Sequence, residues 1–465
     1  MKKHFFLLTI LGIIGFTGCN KDTDNVQPEE QTSPEETPAP VVVETIGCDI
    51  EEFCAYSGET KGVSVTLLPD DAEDKSFQWS VLDESIATIE DNVITTHSVG
   101  KTWIYAIANA DSKIKDSIKI TVYANPQKLV SVSDEKIHHE GRIIIDSESA
   151  QYLYPGTSFS TEFTGTAISG KFNPVAAYYW VEVDDQEPFK ICTSKKNNRV
   201  PNSEQNPATF WLARGLEDGN HTVRVTLCSE GLYKNPKFYG FVIEDDAELT
   251  KPAEKSVKFE FIGNSITCGY GTEVTDRSPF NDSTSNFCHS FAYKTTKEFN
   301  AECMVVARSG IGVYRNYGNQ ADFGIMPDVY EKSWLSSSTT WDFSQYTPDV
   351  VFINLGTNDV WNMDTFSEDD FETSFRNFLN TVISHYPNSK YVLLTGCMMN
   401  GAGLSKVKAI LNAIQTDYTT ESHPFYRFDF KTVAGTGADW HPCAAQQDKM
   451  GTDLIKFLKD NNIVQ

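Results

Sequence analysis

Apolar residues follow two different patterns along the 465-residue chain, and the change between them predicts its architecture. Between about residues 41 and 249 they alternate with polar residues in short runs, as in Phe77–Val81 and Tyr179–Val183. Alternation with a period of two is typical of half-buried strands. From about Lys255 the apolar runs become continuous, and the segments between them have apolar residues at helical spacing. This combination is typical of a parallel sheet covered by helices. The chain is therefore predicted to be multidomain, all-β first and α/β afterwards.

The α/β part is predicted to contain a parallel five-stranded sheet between layers of helices. Two amphipathic helices are the clearest of these. One begins after Ser367, where Ser367-x-x-Asp370 resembles a capping box, and apolar residues recur behind it at helical spacing. The other contains Leu404 to Ile414. We predict the strands at Val257–Phe261, Cys303–Val306, Val350–Leu355, Tyr391–Thr395 and Phe425–Phe430.

The alternating part divides into two predicted domains, residues 41–125 and 127–249, and the α/β domain follows at 255–465. The first has the length and the short strands of an Ig-like sandwich. Its middle, from Trp79 to Thr102, resembles the bacterial Ig-like group 2 domain, which implies a spacer. The second domain is predicted to be another all-β sandwich, of jelly-roll type. Whether it binds sugar is left open.

The N-terminus has the features of a targeting signal over residues 1–18. Lys2 and Lys3 precede an apolar run, Phe5–Phe16, that is too short to span a bilayer. The run ends in Phe16-Thr17-Gly18-Cys19, which resembles the lipobox of bacterial lipoproteins. The resemblance implies cleavage before Cys19 and lipidation of this residue. The polar and acidic residues 20–24 resemble surface-export signals of Bacteroidetes lipoproteins, which implies an outer-membrane lipoprotein exposed at the cell surface. A plain secretory signal is the alternative. Residues 19–40 are rich in Pro, Glu and Thr, which predicts a disordered tether.

The charge of the chain argues against one class of partner. The formal net charge of −25 repels phosphate backbones, so nucleic acid is not an expected partner.

Ten cysteines in an exported protein indicate some disulfides. Cys48 with Cys54 and Cys192 with Cys228 are candidate pairs, but the connectivity stays open. No C-x-x-C spacing occurs, so a structural zinc site is not expected.

A polar, glycine-rich segment follows each of four predicted strands. Function in parallel sheets gathers where strands end and turn toward their helices. The four segments are Gly263-Asn264-Ser265-Ile266-Thr267-Cys268-Gly269-Tyr270-Gly271, Arg308-Ser309-Gly310-Ile311-Gly312, Gly356-Thr357-Asn358-Asp359 and Gly437-Ala438-Asp439-Trp440-His441-Pro442.

These segments contain the groups that ester cleavage needs: a nucleophile, a base and donors for the oxyanion. Ser265 lies in a glycine-flanked turn and is the candidate nucleophile. His441 is the candidate base, and Asp439 is a candidate to orient it through the second ring nitrogen. The candidate oxyanion donors are the amides of Ser265 and Gly310 and the side chain of Asn358.

No G-x-S-x-G surrounds Ser265, so the nucleophile elbow of ordinary α/β-hydrolases is absent from the sequence. The segments instead resemble the SGNH (GDSL-type) hydrolases across residues 255–465, with Ser265, Gly310, Asn358 and His441 matching the four residues of that name. The blocks 261–271 and 307–317 resemble the second carbohydrate esterase family, the acetyl xylan esterase type, in which a jelly roll precedes the hydrolase. That resemblance implies deacetylation of plant-type polysaccharides without a cofactor.

Two positions depart from the superfamily pattern. The usual G-D-S is Gly263-Asn264-Ser265 here, and the usual D-x-x-H would place Asp at position 438, which is Ala438. The support of His441 is therefore left between the Asp439 carboxylate and the Trp440 carbonyl. Asp359 is expected to brace its loop. Three aromatic residues are expected to flank the cleft, and whether they stack on a sugar ring or pack within the protein is left open: Trp361, Trp440 and Tyr270.

The predicted function is removal of O-acetyl groups from polysaccharides or oligosaccharides, of xylan or glucomannan type, through a serine acyl-enzyme. The expected partners are an acetylated glycan and, through Cys19, a membrane. Neither a cofactor nor a metal is expected. Two alternatives remain: a non-catalytic glycan-binding surface lipoprotein, and an SGNH esterase that acts on another acyl substrate.

Overall fold

The computed structural model describes residues 40–194, 206–232, 234–321, 323–335, 337–421 and 423–464. The predicted signal peptide, Cys19 and the tether up to residue 39 lie outside these residues. No helix within the described ranges is long and apolar enough to cross a membrane.

The first domain is an all-β sandwich of short strands. A four-stranded sheet in the order β2-β9-β8-β5 faces a three-stranded sheet in the order β3-β7-β6, and β1 pairs with β4. The expected alternation is visible in β8, where Thr102, Ile104, Ala106 and Ala108 are buried and their neighbours are not. The strands are β1 Thr45–Cys48, β2 Glu52–Tyr56, β3 Thr60–Gly62, β4 Val65–Leu68, β5 Phe77–Val81, β6 Ala87–Glu90, β7 Val93–Thr96, β8 Gly100–Ala108 and β9 Lys115–Tyr123.

The second domain is also all-β, as predicted, and its ten strands share one antiparallel hydrogen-bonded sheet that encloses an aromatic-rich core. Two long strands, β14 and β17, pair with register shifts near Gly165 and Ile168, and such bulges bend a sheet. The β-sandwich is confirmed, and the jelly-roll topology stays a prediction. The strands are β10 Lys128–Ser131, β11 His138–Glu140, β12 Ile144–Ile145, β13 Ala150–Gln151, β14 Ser158–Phe172, β15 Tyr178–Val183, β16 Phe189–Cys192, β17 Ala208–Leu227, β18 Lys237–Ile243 and β19 Leu249–Thr250.

The third domain confirms the predicted α/β/α arrangement. Its five strands are parallel in the order β21-β20-β22-β23-β24, and each predicted strand end lies within two residues of the observed one. The strands are β20 Val257–Gly263, β21 Ala301–Ala307, β22 Val350–Asn354, β23 Lys390–Thr395 and β24 Phe425–Asp429. The helices are α1 Ser265–Cys268, α2 Phe291–Glu298, α3 Met326–Val329, α4 Glu368–His385, α5 Gly401–Tyr418 and α6 Ala444–Asp460.

Helices cover both faces of this sheet because its strands are apolar on both sides. Phe259 and Phe261 of β20 pack in a core with α2 and α6, whereas Ile262 packs in the core that contains α4 and α5. Helix α4 begins as the sequence predicted, with the Ser367 hydroxyl oxygen accepting a hydrogen bond from the Asp370 amide at 3.2 Å. The apolar stripes of α4 and α5 are therefore core.

No disulfide joins any of the nine cysteines that the structure describes, which corrects the two candidate pairs. Cys48 lies in β1 of the two-stranded sheet, whereas Cys54 lies in β2 of the four-stranded sheet. Cys192 and Cys228 flank the same residue of β15, Tyr178, from its two sides. Two strand spacings amount to roughly 9.5 Å, and a disulfide needs Cα atoms within about 7 Å.

Buried charges join the second domain to the third. Arg142 is fully buried, and its guanidinium lies 3.2 Å from the Glu260 carboxylate of β20 and donates to the carbonyls of Tyr330 and Lys332. Glu140 accepts two hydrogen bonds of 2.8 Å from Arg224 and one of 3.0 Å from the Cys303 amide of β21. The Arg142–Glu260 ion pair and the hydrogen bond from the Cys303 amide to Glu140 hold the second domain against the first strands of the parallel sheet.

Candidate active site

The four polar segments lie at the carboxyl edge of the parallel sheet, immediately after β20, β21 and β22 and shortly after β24. Ser265, Gly310, Asn358 and His441 all line one cleft at this edge, which has a volume of about 660 Å³. The structure therefore brings together the four residues that the sequence analysis selected for ester cleavage.

Ser265 is held by the sharp turn between β20 and α1. Gly263 ends the strand, and a Cβ at this position would lie 2.1 Å from the Thr267 hydroxyl oxygen, so only glycine fits. Asn264 caps the helix because its side-chain oxygen accepts from the Ile266 amide at 3.1 Å. Ser265 is the first residue of α1 and is 6% exposed, which places its hydroxyl at the floor of the cleft.

Asn264 occupies the position where the superfamily pattern has aspartate, and its amide has a clear use here. Its Nδ2 donates to the Asn354 carbonyl at 3.1 Å, so the side chain ties the end of β20 to the end of β22. An ionised carboxylate is only an acceptor and could not make this bond. The asparagine therefore stabilises the turn by a hydrogen bond that an aspartate could not form, although it lacks the negative charge of an aspartate.

His441 forms a hydrogen bond with Ser265. Its Nε2 lies 2.8 Å from the Ser265 Oγ, and its Nδ1 lies 3.1 Å from the Ala438 carbonyl oxygen. A carbonyl can only accept, so Nδ1 carries the proton and Nε2 is free to take one from the serine. Burial lowers the pKa of His441 below its usual 6.5, although the backbone of Ala438 and the Asp439 carboxylate oppose the shift. The ring is therefore neutral near pH 7.

Neither expected partner of the second ring nitrogen is found there. The candidates from the sequence are the Asp439 carboxylate and the Trp440 carbonyl, whereas the structure has the Ala438 carbonyl at this position. Asp439 and Trp440 both adopt left-handed backbone, with φ of 45° and 66°. The chain therefore turns back on itself, the His441 amide donates to the Ala438 carbonyl at 2.9 Å, and this carbonyl also meets the ring.

Asp439 acts on the histidine through Tyr270. Its carboxylate accepts a hydrogen bond of 2.7 Å from the Tyr270 hydroxyl and one of 3.1 Å from the Phe280 amide. The Tyr270 ring packs on His441 with 4.1 Å between centroids and stacks on Phe280 at 4.4 Å. Burial, followed by Asp439, raises the pKa of Tyr270, so the phenol stays a donor. Tyr270 is thus a packing partner of the base.

The proposed oxyanion donors lie on loops that are braced from behind. Asn358 Nδ2 donates to the Ile311 carbonyl at 2.8 Å, which fixes the amide plane while its second hydrogen can be donated into the cleft. Gly310 has a φ of 80°, a left-handed conformation that favours glycine. The next segment, residues 313–315, donates three backbone amides to the fully buried Asp359 at 2.8 to 3.1 Å. Burial raises the pKa of Asp359 to about 6 against these bonds, and the carboxylate braces the loop as expected.

Two exposed tryptophans stand at the rim. Trp440 is 60% exposed, and the Arg277 guanidinium lies 3.9 Å from its ring centroid. Trp361 is 37% exposed, and its ring centroid lies 5.8 Å from that of Tyr317. Both rings keep exposed surface at the rim, although the Arg277 guanidinium covers one face of Trp440. Five further lining residues were missed by the sequence analysis as site residues: Ser309, Tyr317, Gln320, Thr357 and Met398. Ser309, Tyr317 and Thr357 stand inside the quoted segments, whereas no local signal marks Met398 after β23.

Metal-ligating side chains do not gather here: within the described ranges, no cluster of three or more His, Cys, Asp or Glu residues could hold a metal ion.

Models of three protein families match the chain, one for each domain. The bacterial Ig-like domain (group 2) matches residues 51–118, the carbohydrate esterase 2 N-terminal domain matches 139–252, and the GDSL-like lipase/acylhydrolase family matches 261–452.

Known proteins match about 70% of this chain. Cellulase/esterase CelE of Acetivibrio thermocellus is 29% identical over 320 residues, which are 68% of this chain and 38% of CelE. An acetylxylan esterase / glucomannan deacetylase of Cellvibrio japonicus is 25% identical over 342 residues, 70% of this chain and 90% of that protein. A family two carbohydrate esterase from Clostridium thermocellum, solved in complex with cellohexaose, superposes with a TM-score of 0.62 at 28% identity, over 70% of this chain and all of that one. The second and third domains are therefore similar to SGNH-type esterases of carbohydrate esterase family 2, and a match to the group 2 bacterial Ig-like domain precedes them.

Proposed function

We propose that this protein removes O-acetyl groups from polysaccharides or oligosaccharides of xylan or glucomannan type through a serine acyl-enzyme. The observation that carries the proposal is the 2.8 Å contact between the Ser265 Oγ and the His441 Nε2 inside a cleft that Gly310 and Asn358 also line. A nucleophile, its base and oxyanion donors on separate loops form the minimal set for acyl transfer.

In the first half of the reaction, Ser265 Oγ attacks the acetyl carbonyl carbon while His441 Nε2 takes the hydroxyl proton. The Ala438 carbonyl stabilises the imidazolium at Nδ1, the position that a carboxylate occupies in the Ser-His-Asp arrangement. When the tetrahedral intermediate collapses, the bond between the carbonyl carbon and the sugar oxygen breaks. The sugar oxygen then takes the proton from Nε2 and leaves as an alcohol.

The negative charge of the intermediate falls on the former carbonyl oxygen. Its donors would be the amides of Ser265 and Gly310 and the Asn358 side chain. The Ser265 amide stands at the first position of α1, where backbone N–H groups have no partner within the helix. Loss of one such donor typically costs about 3 to 4 kcal/mol of transition-state stabilisation.

In the second half, His441 takes a proton from water, the water oxygen attacks the acetyl-enzyme, and Ser265 regains its proton as acetate leaves. The lowered pKa of His441 suits this role because the ring must be neutral at the start of each half-reaction.

The substrate class rests on the rim and on the relatives. Trp440 and Trp361 offer exposed aromatic faces above the nucleophile, and sugar rings pack against such faces. Relatives are named for acetylxylan and glucomannan deacetylation, and one was solved with cellohexaose. We therefore place the glycan across the rim with its acetyl group directed toward Ser265.

Lipidation of Cys19 forms a separate part of the proposal, which rests on the sequence pattern Phe16-Thr17-Gly18-Cys19. A lipid at Cys19 would anchor the chain to the outer membrane, with the three domains exposed at the cell surface. Cys19→Ala should release the protein from the membrane fraction, and mass spectrometry of the mature N-terminus should find acyl chains on Cys19. An unmodified Cys19 in a soluble protein would contradict the anchor alone.

The experiment for the activity measures acetate release from acetylated xylan and glucomannan by the wild type and by Ser265→Ala. Ser405→Ala, an exposed serine in α5, is the matched control. We expect release by the wild type and the control and a loss of at least about 10³-fold in Ser265→Ala. Binding of the glycans without turnover, even of 4-nitrophenyl acetate, would indicate the non-catalytic alternative. Turnover of longer nitrophenyl esters in preference to the acetate would indicate another acyl substrate.

A further inference from the structure

One carboxylate of the second domain reaches into the loop that carries Gly310. Glu230 follows β17, and its two carboxylate oxygens accept hydrogen bonds from the Ser309 amide at 2.8 Å and from the Ser309 hydroxyl at 2.5 Å. Ser309 belongs to the third domain, lines the cleft and directly precedes Gly310. The contact therefore crosses a domain boundary and ends one residue from a proposed oxyanion donor.

The direction of the Gly310 amide depends on the peptide plane that it shares with Ser309. Gly310 has a φ of 80°, and glycine by itself restricts this dihedral angle little. On the other side, the Gly310 carbonyl accepts from the Tyr317 amide at 2.9 Å. On the Ser309 side, Glu230 restrains the peptide plane, because it accepts one hydrogen bond from the Ser309 amide and one from the Ser309 hydroxyl.

The surroundings of Glu230 allow the carboxyl group to stay in place in either charge state. Burial raises the pKa of Glu230, and the Ser309 bonds and the Arg308 guanidinium oppose the shift. A neutral carboxyl group keeps one acceptor oxygen for the Ser309 amide, and its hydroxyl can donate to the Ser309 oxygen. A glutamine side chain has the same two capacities.

We propose that Glu230 is a positioning residue of the second domain, which holds Ser309 and so aims the Gly310 amide at the oxyanion. The inference rests on the proposed function, because it assigns Glu230 to the transition state of that reaction. It makes the second domain a structural part of the catalytic site. Displacement of a catalytic group by about 1 Å can cost on the order of 10²-fold in rate.

Glu244 provides a matched control within the same domain. It accepts hydrogen bonds from the Thr166 amide at 3.1 Å and from the Thr166 hydroxyl at 2.6 Å, the same pair of bonds as at Glu230, but both partners lie in the second domain. We expect Glu230→Ala to lower kcat on 4-nitrophenyl acetate about 10- to 100-fold with KM changed less than about 3-fold. In Glu244→Ala, kcat should stay within about 2-fold of the wild type.

Rescue separates positioning from general stability. Glu230→Gln should recover kcat to within about 3-fold of the wild type, because it keeps both bonds to Ser309. If Glu230 served only the folding of its domain, Glu230→Ala and Glu244→Ala would both lower Tm and both leave kcat unchanged. That result would overturn the inference.

Hydrogen exchange gives a readout that needs no turnover. In Glu230→Ala the amides of residues 309–312 should exchange at least about 10-fold faster than in the wild type, and Glu244→Ala should leave them unchanged. Unchanged exchange in Glu230→Ala would overturn the positioning role whether or not the enzyme is active. A wild type without esterase activity would overturn the proposed function instead, and the exchange data would still decide whether Glu230 orders the loop.

Discussion

The second domain contacts its two neighbours in different ways. Toward the third domain it presents buried charges: Arg142 against Glu260, and Glu140 beneath strand β21. Toward the first domain the contact is aromatic. Trp211 meets Tyr56 edge to face with 4.6 Å between ring centroids, and the Arg214 guanidinium lies 4.1 Å from the Trp211 ring.

The two kinds of contact predict which domains depend on each other. A buried charge that loses its partner is strongly destabilising, so the second and third domains are expected to fold and act as one unit. An aromatic pair contributes about 0.5 to 1.5 kcal/mol, less than a buried ion pair, and can be lost without leaving a charge unpaired. The first domain is therefore expected to be separable from catalysis, as suits a spacer.

The largest expected effect comes from breaking the Arg142 pair. Arg142→Ala leaves Glu260 buried and unpaired, so the free energy of unfolding of the joined second and third domains should fall by about 3 to 5 kcal/mol. Urea unfolding measures this. Lys456→Ala removes an exposed pair with Asp460 on α6 and should cost less than about 1 kcal/mol. Equal losses in the two variants would contradict the comparison.

An intermediate effect that depends on pH is expected at Glu140. Burial alone would raise the pKa of Glu140, yet Arg224 and Lys255 hold it well below its usual 4.5. Because the pKa is depressed in the folded state, the stabilisation is present above about pH 4.5 and is lost as the pH falls through the folded-state value. Glu140→Gln should cost about 2 to 3 kcal/mol near pH 7, and the difference from the wild type should shrink in acid. A difference that is independent of pH would show that the charge is not responsible.

The smallest effect is expected at the aromatic boundary. Trp211→Ala should cost about 1 to 2 kcal/mol from the lost ring pair and cation–π contact, and small-angle scattering should find the first domain in more varied orientations. The pH at which kcat/KM falls on the acid side depends on protonation of His441 in the third domain, whose pKa lies below 6.5. This pH should therefore be the same in Trp211→Ala as in the wild type. A shift of this pH in Trp211→Ala would show that the first domain does act on the catalytic site.

Much of the fold was predictable because it depends on local pattern. The five continuous apolar runs located the parallel strands within two residues, and Ser367 marked the start of α4. These features follow from periodicity and from capping, which involve residues close in the chain. The same holds for the four polar segments, since the carboxyl ends of parallel strands meet at one edge of a sheet.

The details of the site were less predictable because they depend on contacts between distant residues. The partner of His441 follows from two left-handed residues in succession, which the spacing of Asp439 before His441 does not reveal. The contact of Glu230 with Ser309 joins residues 79 positions apart in different domains. The rejected pair Cys192 and Cys228 depends on strand order, because β15 lies between them.

Hydrophobic period, turn residues and polar strand ends are local properties, so the class of each domain, the order of the elements and the residue types at the cleft can be read from the chain alone. Tertiary structure decided which atoms meet: the Ala438 carbonyl at the histidine, the Asn264 amide at β22, and the carboxylates of Glu140 and Glu230 across a domain boundary. The physical reason is that hydrogen bonds are directional and short, so their partners are fixed only when the packed backbone sets each position within a few tenths of an ångström.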